Sequence, residues 1–487
     1  MSSTRYLKII KSVLIPLFAT VFNITGSYAQ SDSNQVSRKI FALQDLERIV
    51  LMNHPIVKQA DLLSEQARAQ LQQAWGAFDP NIKSHFGRKT FGGTEYYNNW
   101  SNELKVPLWL AGADLKIGYD RFVGENTNPE TRTGVPGLAG LGLNIPIGQG
   151  LLIDARRNVL RQARVMVNYA EAEKIKQINQ VWLSAVKDYW NWYNAYQQYE
   201  LIREGADLAY QRFIAVKNQA LLGDKPTIDS VEAAITFQER SIQFEKVKVE
   251  LNNARLLMSN HIWDENEQPL ELPDDIYPEN IQPLGSDFYK SKLQSLLGIA
   301  ANAHPELLML KNKGLQLQIE RNYRLEMLKP KLSVSASLIT SRTDFGSFVP
   351  DYYDLRWSNY KLGVDFAFPL FLRAERGKLN EVKAKQLALN YDLVQTGREI
   401  NTGILNAYNE LVAYESQLAI QTTSIENQQV LLTGELAKFD LGESTLFLIN
   451  SRETKLIDMK IKRVELLTGY QKSIAQLYYA TGTVTDR

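Results

Sequence analysis

Apolar and polar side chains alternate without a break along residues 360–368. The apolar side chains occupy the even positions, and the polar or small ones, among them Lys361 and Asp365, occupy the odd positions. The same two-residue period occurs in the segments 81–91, 100–106, 113–122, 138–147 and 331–338. Because successive side chains of a strand point to opposite faces, this period predicts a β-sheet with one apolar face and one hydrated face.

The hydrated face carries full charges, which favours a membrane barrel around a water-filled lumen over a soluble β-sandwich with the same alternation. Six charged residues are predicted to face that lumen: Glu103, Lys105, Asp114, Lys116, Lys361 and Asp365. Aromatic residues cluster at the strand ends, as in the girdles at membrane interfaces. They are Phe91, Tyr96, Tyr97, Trp100, Trp109, Tyr352, Tyr353, Trp357, Tyr360 and Phe371. One chain offers too few strands to close a channel, so we expect several copies to share the barrel.

Long helices are predicted between the strand segments. Residues 154–222 contain Gly205 as their single glycine and no proline, so a helix over this span would be about 100 Å long. Its apolar positions form two adjacent stripes, which indicates packing on both flanks rather than against one globular core. One stripe consists of Trp182, Val186, Tyr189, Tyr193 and Tyr196. A glycine turn follows each long helix and a helical pattern then resumes, which predicts two antiparallel helical hairpins.

The chain contains one unit twice. Residues 53–55 (Asn-His-Pro) are followed 25 positions after the proline by Pro80, and residues 303–305 (Ala-His-Pro) are followed at the same distance by Pro330. In both cases an alternating strand segment begins directly after the second proline. A repeated break, helix and strand start indicates an internal duplication.

The first 29 residues are expected to be a secretory signal peptide. They contain three basic residues, an apolar stretch over 13–24 and small residues before an expected cleavage ahead of Gln30. Outside this segment, no apolar run reaches the roughly 18 residues of a membrane helix, so a membrane-spanning form would have to be a closed barrel.

Composition excludes several classes of function. The chain has 55 Lys+Arg and 54 Asp+Glu, and without the three basic residues of the predicted signal its net charge is −2, which argues against nucleic acid as a partner. It has no cysteine, so thiolate catalysis and thiolate metal sites are excluded. The sequence contains no His-Glu-x-x-His, no phosphate-binding loop and no Gly-x-Ser-x-Gly motif. We therefore expect no enzyme activity, no cofactor and no metal site.

An acidic, proline-rich segment, 261–292, joins the two repeats and is interpreted as a solvated linker. Its carboxylates leave a calcium-like cation site as the alternative, because calcium prefers oxygen-rich loops. The residues concerned are Asp264, Glu265, Glu267, Asp274 and Asp275.

With these features in place, the chain resembles the TolC-type outer-membrane efflux channels over about residues 40–482. The His-Pro breaks match the family's break between two short helices, and residues 106–109, 145–147 and 368–371 resemble its strand-ending Pro-Leu-Phe. Leu222-Gly223-Asp224 and Leu441-Gly442-Glu443 resemble its hairpin tips. The resemblance depends on these motifs occurring twice in the chain, each time in the same order.

The resemblance implies a mixed α and β membrane protein, internally duplicated and assembled as a homotrimer. Its β-barrel in outer-membrane lipid would have about 12 strands, four per chain, continued by a long α-helical tunnel of antiparallel coiled-coil hairpins. The tips named above would contact a periplasmic adaptor, a membrane fusion protein, which couples the channel to an inner-membrane transporter. The implied function is passive export in an efflux or type I secretion system. The cargo class, whether drug, metal ion or polypeptide, stays open.

The implied domain order follows the duplication. The signal peptide (1–29) precedes a first repeat (30–260) with helices over 42–78, strands over 81–147 and a long hairpin over 151–260 with its tip near 223. The linker precedes a second repeat (293–482) with a helix over 293–328, strands over 331–369 and a hairpin over 374–480 with its tip near 442.

Two departures from the family pattern stand out. Carboxylates follow the first tip at Asp229 and Glu232, whereas Leu448 and Ser451 stand at the equivalent positions after the second tip, so an acidic gate would be built from the first repeat. The first repeat also has four candidate strands instead of two. We expect the middle pair to lie outside the barrel wall as a hairpin; the alternative is an enlarged barrel.

Two other classes of function compete with the channel. A periplasmic coiled-coil adaptor or scaffold would show a single hairpin around an all-β module, and a barrel-bearing enzyme would need convergent polar residues. Two hairpins separated by strands favour the channel.

Overall fold

The computed structural model describes residues 39–280, 286–341 and 357–483. The predicted signal peptide and the girdle residues Tyr352 and Tyr353 lie outside these ranges. The elements of the first repeat are β1 (Lys39–Phe41), α1 (Leu43–Asn53), α2 (Pro55–Trp75), β2 (Asn81–Phe91), β3 (Thr94–Pro107), β4 (Asp114–Val123), β5 (Leu138–Pro146), α3 (Ala155–Leu222) and α4 (Thr227–Ser259). After them come β6 (Ile276–Pro278), α5 (Ser286–Ala303), α6 (Pro305–Glu326), β7 (Lys331–Ser341), β8 (Tyr360–Ala367), α7 (Arg373–Asp440) and α8 (Leu446–Thr481).

The two His-Pro breaks are helix N-termini. His54 has extended backbone angles and its Nδ1 accepts a hydrogen bond from the N–H of Ile56 at 3.2 Å. His304 does the same with the N–H of Glu306, also at 3.2 Å. The following proline occupies the first helical position, where its missing N–H costs nothing and its fixed φ suits a helix. The duplicated motif therefore starts α2 and α6.

The strands form one antiparallel sheet in the order β2-β3-β4-β5-β7-β8. Our expectation of four barrel strands per chain, with the middle pair outside, is therefore wrong: among the described residues this sheet has six strands. β3 pairs with β4 along residues 98–107, and β4 pairs with β5 along residues 114–120. The physical reason is that β3 over residues 103–107 and β4 over residues 114–119 keep the two-faced alternation of their neighbours, so their charged side chains stay on one face of the sheet.

The long helices form two hairpins, α3–α4 and α7–α8. α3 and α7 have 68 residues each, which corresponds to a length of about 100 Å. Gly223 and Gly442 adopt the left-handed conformation, with φ of +85° and +80°, and end the first helix of each pair. Asp154 and Thr445 start α3 and α8 by accepting backbone hydrogen bonds. No helix within the described ranges is both long and apolar enough to cross a membrane.

The main core lies where the helical layers meet around the middle of α3. Side chains of both predicted stripes are buried there, including Trp182, Val186, Tyr189, Tyr193, Ala185 and Trp192. The segment that joins the repeats packs onto this core: Leu272 is buried, and the N–H of Glu279 donates to the hydroxyl of Tyr189 at 3.3 Å. Most carboxylates of the 261–292 linker are exposed, as a solvated linker requires. Two features differ from that picture: part of the segment packs on α3, and α5 already begins at Ser286.

Candidate functional site

All six predicted lumen residues lie on one face of the sheet. The register places Lys105 opposite Lys116, Lys116 opposite Gly142, Gly142 opposite Ser337 and Ser337 opposite Lys361. Residues paired across antiparallel strands share a face, as do residues two apart along a strand, so Glu103, Asp114 and Asp365 belong to it too. Lys105 pairs with Asp114 at 2.9 Å and Lys116 with Glu103 at 3.5 Å. This polar face contains charges of both signs.

The opposite face of the sheet carries an apolar band that is open to the surroundings in the single chain. One row across all six strands consists of Ile82, Leu104, Ile117, Leu141, Leu338 and Tyr360. Toward the outer strands the exposure is high: Ile82 is 78% exposed and Phe366 69%. An apolar surface of this extent marks a membrane or protein interface.

A charged network joins the polar face to the start of α3. Asp114 binds Arg156 at 2.7 Å, and Arg156 in turn binds Asp154 at 3.0 Å. Asp154 also accepts from Arg157, whose guanidinium is buried and donates to the carbonyl of Gly150. Burial would raise the pKa of Asp154, but the hydrogen bonds from Arg157 and Arg156 outweigh it and hold that pKa below its usual value. The network fixes the direction in which α3 leaves the sheet.

The predicted adaptor-contact residues lie at the ends of the hairpins. Leu222, Gly223, Asp224, Leu441, Gly442 and Glu443 are all exposed. The two tips contact each other, because the Lys225 ammonium lies 3.8 Å from the centre of the Phe439 ring. Behind them, Val216, Ala233 and Leu446 form a small buried cluster. The tips are therefore a joint surface built from both repeats.

The predicted gate carboxylates lie on α4 just behind the first tip. Asp229 stands in the first turn of α4, where a negative charge also stabilises the helix through its macrodipole. Glu232 follows one turn later, and both residues are half-buried. Among the described residues neither carboxylate forms an ion pair, so both are available to a neighbouring chain or to a cation.

Sequence reasoning missed the polar contacts between the two hairpins. Arg212 of α3 donates to both carboxylate oxygens of Glu453 of α8 through its two terminal guanidinium nitrogens. Arg240 of α4 is buried and donates to the Thr454 hydroxyl at 2.7 Å. Burial lowers the pKa of the Arg240 guanidinium, and the nearby Asp458 carboxylate opposes that shift. The partners lie more than 200 residues apart in sequence, so no local pattern could pair them.

Two of the four histidines also meet unexpectedly. The rings of His54 and His261 stack with 5.9 Å between their centres, and His261 Nε2 lies 2.8 Å from a carboxylate oxygen of Asp188. Burial lowers the pKa of the His54 imidazole to about 4, with a further contribution from His261. The described residues contain no group of three or more acidic or histidine side chains placed to hold a metal ion. The carboxylates of residues 264–275 therefore form no such group either.

The fold is similar to that of solved outer-membrane channels. The MtrE outer-membrane channel of Neisseria gonorrhoeae is 14% identical, with a TM-score of 0.63 over 91% of this chain and 89% of that one. The outer-membrane protein VceC of Vibrio cholerae is 13% identical, with a TM-score of 0.62 over 91% and 97%. The CmeC outer-membrane channel of Campylobacter jejuni is 15% identical, with a TM-score of 0.61 over 90% and 85%. No protein-family model and no curated protein sequence matches the chain.

Proposed function

We propose that this chain, whose fold is that of the TolC-type outer-membrane channels, is a passive export channel of a Gram-negative-type outer membrane. The observation that carries the proposal is a single sheet with one charged face and one exposed apolar face, continued by two hairpins of long helices. The charged face lines a water-filled lumen, and the helices extend the conduit through the periplasm. The channel performs no chemistry.

The apolar face of the sheet fits a lipid bilayer. The six strands have 8 to 14 residues. A tilted strand needs about 9 to 11 residues to cross the hydrocarbon core of a membrane. The outward apolar band and the charged inner face are the arrangement that a transmembrane barrel requires.

The outer side of α4 supports assembly of several copies. An aliphatic residue recurs on it every seven positions, and these side chains are 51% to 72% exposed in the single chain. They are Ile228, Ile235, Ile242, Val249 and Leu256, which we call the α4 stripe. A seven-residue apolar repeat is typical of helices that pack along a partner helix. The opposite side of α4 already packs on α3, so the stripe would face a neighbouring copy. We infer a homotrimer, as the family resemblance implies.

The hairpin tips fit the role of a docking surface. Besides the predicted contact residues, Leu221 and Phe447 are exposed there, at 77% and 66%. Together with Leu222 and Leu441 they form an exposed apolar patch, which is the kind of surface that marks a protein contact. We propose that a periplasmic adaptor binds the tips and couples the channel to an inner-membrane transporter, and that Asp229 and Glu232 form an acidic gate behind them.

Planar-bilayer recording on the purified mature protein tests the channel. We expect discrete conductance steps from a species whose mass in detergent, measured by light scattering, is that of three chains. Absence of conductance from a protein that stays monomeric would reject the proposal. The same negative result from a fully folded protein is what we would expect of a periplasmic adaptor or scaffold protein.

A further inference from the structure

We infer that the assembled channel has an eighteen-stranded barrel, and that this barrel admits bulkier hydrated cargo than one built from four strands per chain. The inference rests on the trimeric channel proposed above. It follows from the strand order, in which β3 and β4 are integral members of a six-stranded sheet. Three copies of this sheet supply eighteen strands.

The pairing of β3 and β4 places both in the barrel wall. β3 has partners on both sides, with Leu104 lying between Ile82 of β2 and Ile117 of β4. β4 likewise lies between β3 and β5, with Leu141 of β5 opposite Ile117. A hairpin outside the wall would leave β2 directly beside β5. It would also have no reason to keep a charged face and an apolar face in phase with the other four strands.

The edges of the sheet indicate what closes it. Among the described residues, β2 pairs only with β3, and β8 pairs only with β7. An open edge in lipid would leave a row of backbone N–H and C=O groups without partners, which the hydrocarbon does not tolerate. An even number of antiparallel strands makes β8 of one copy run antiparallel to β2 of the next. A second copy of this chain is therefore the occupant that fits each edge.

The polar face leaves room inside such a barrel. On β4, β5, β7 and β8 many of its positions hold glycine or serine: Gly118, Gly140, Gly142, Ser333, Ser335, Ser337 and Gly363. Barrel diameter grows roughly in proportion to strand number, so eighteen strands give about 1.5 times the width of twelve. Barrels of about 16 to 18 strands hold an open aqueous channel. The cargo class is therefore polar solutes as wide as a hydrated polymer chain. Such a solute would meet both positive lysine side chains and negative carboxylates on the barrel wall.

Disulfide trapping tests the strand order directly, because the natural chain has no cysteine to interfere. Ile117→Cys with Leu141→Cys, across β4 and β5, is expected to form a bond within one chain. Ile82→Cys, paired in turn with Tyr360→Cys, Leu362→Cys and Val364→Cys across the two edges, is expected to give covalent dimers and trimers on denaturing gels for the pair that is in register. The matched control is Ile82→Cys with Leu141→Cys, which only a twelve-stranded barrel would bring together. Bonding of the control pair, with none across β4 and β5, would overturn the inference.

Polymer exclusion measures the width. Polyethylene glycols of graded mass, added from the strand side of channels in a planar bilayer, lower the conductance only while they fit into the barrel. We expect the cut-off radius to be about 1.5 times that of a twelve-stranded channel recorded in parallel. A cut-off equal to that reference in a conducting trimer would contradict the wide barrel but leave the channel function standing. A protein that neither conducts nor trimerises would instead contradict the proposed function.

Discussion

His54 and His304 occupy equivalent positions in the two repeats and have the same structural role. Each accepts a backbone hydrogen bond at the start of a helix, and each is buried with a pKa lowered by that burial. The spacing to the next proline revealed both breaks in the sequence. The surroundings could not be predicted, because His261 and the C-terminal turn of α8 come from distant parts of the chain. The motif therefore indicated helix starts correctly but not the contacts that hold them.

Gly482 packs closely against the second His-Pro break, at His304 and Pro305. Its φ is +80°, and an added Cβ would lie 2.5 Å from Cδ of Pro305. Gly442 at the second tip has the same φ but open space around it. Gly442→Ala should cost about 1 to 2 kcal/mol from backbone strain alone, whereas Gly482→Ala adds a steric clash and should cost more. Thermal unfolding of the two variants in detergent makes the comparison, and equal melting temperatures would contradict this role of Gly482.

We expect the buried His54 imidazole to make the folded protein less stable in acid. Its pKa is lowered from 6.5 to about 4 in the folded chain, so the unfolded chain binds the proton more readily. The contribution of His54 to stability is thus fully present above pH 6.5 and is lost as the pH falls from 6.5 to about 4. His54→Asn keeps an acceptor for the N–H of Ile56 but carries no titrating group. We expect its melting temperature to fall less between pH 7.5 and pH 4.5 than that of the natural chain. Parallel curves for both proteins would show that His54 does not cause the loss.

At the scale of elements, alternation predicted the strands and their two faces but not the strand count. All six charged positions assigned to the polar face lie on it, because a period of two leaves a strand only two orientations. The count was wrong because the four-strand expectation came from the family pattern, whereas β3 and β4 alternate in phase with their neighbours over residues 103–107 and 114–119. The helical hairpins were similarly visible from their glycine turns, whereas the pair Arg212 and Glu453 between them was not.

The α4 stripe makes a prediction about assembly. Ile242 lies in the middle of the stripe and is 72% exposed in the single chain. Ile242→Asp should weaken the trimer, because each of three interfaces would lose about 1.5 to 3 kcal/mol of apolar burial and gain a buried charge. Lys248→Gln on the flank of the same helix changes the net charge by the same amount and serves as the control. Light scattering in detergent should show dissociation of the first variant only. A stable trimer with Asp at position 242 would mean that the stripe faces something other than a copy of this chain.

At the scale of the whole molecule, the two repeats contribute unequally to the sheet and to the hairpin tips. They share the His-Pro break, the long hairpin and the glycine tip, yet the first repeat contributes four strands of the sheet and the second contributes two. Behind the tips the asymmetry returns, since Asp229 and Glu232 have Leu448 and Ser451 as counterparts. In a trimer, three acidic positions would alternate with three neutral ones around the tunnel end. In the proposed trimer the electrostatics at the tunnel end would therefore be threefold rather than sixfold.

This asymmetry predicts how cations act on the channel. Six carboxylates gathered from three copies at one constriction would attract multivalent cations strongly, because like charges held close together are only partly screened at about 10 Å in 0.1 M salt. Asp229→Asn with Glu232→Gln should therefore raise the concentration of a trivalent cation needed for half-block by about tenfold or more when it is added from the tip side. Glu239→Gln with Glu245→Gln removes the same charge from exposed positions farther along α4 and should leave the block unchanged. If both double variants are blocked at the same concentration as the natural channel, the constriction is not acidic and the two carboxylates serve the helix alone.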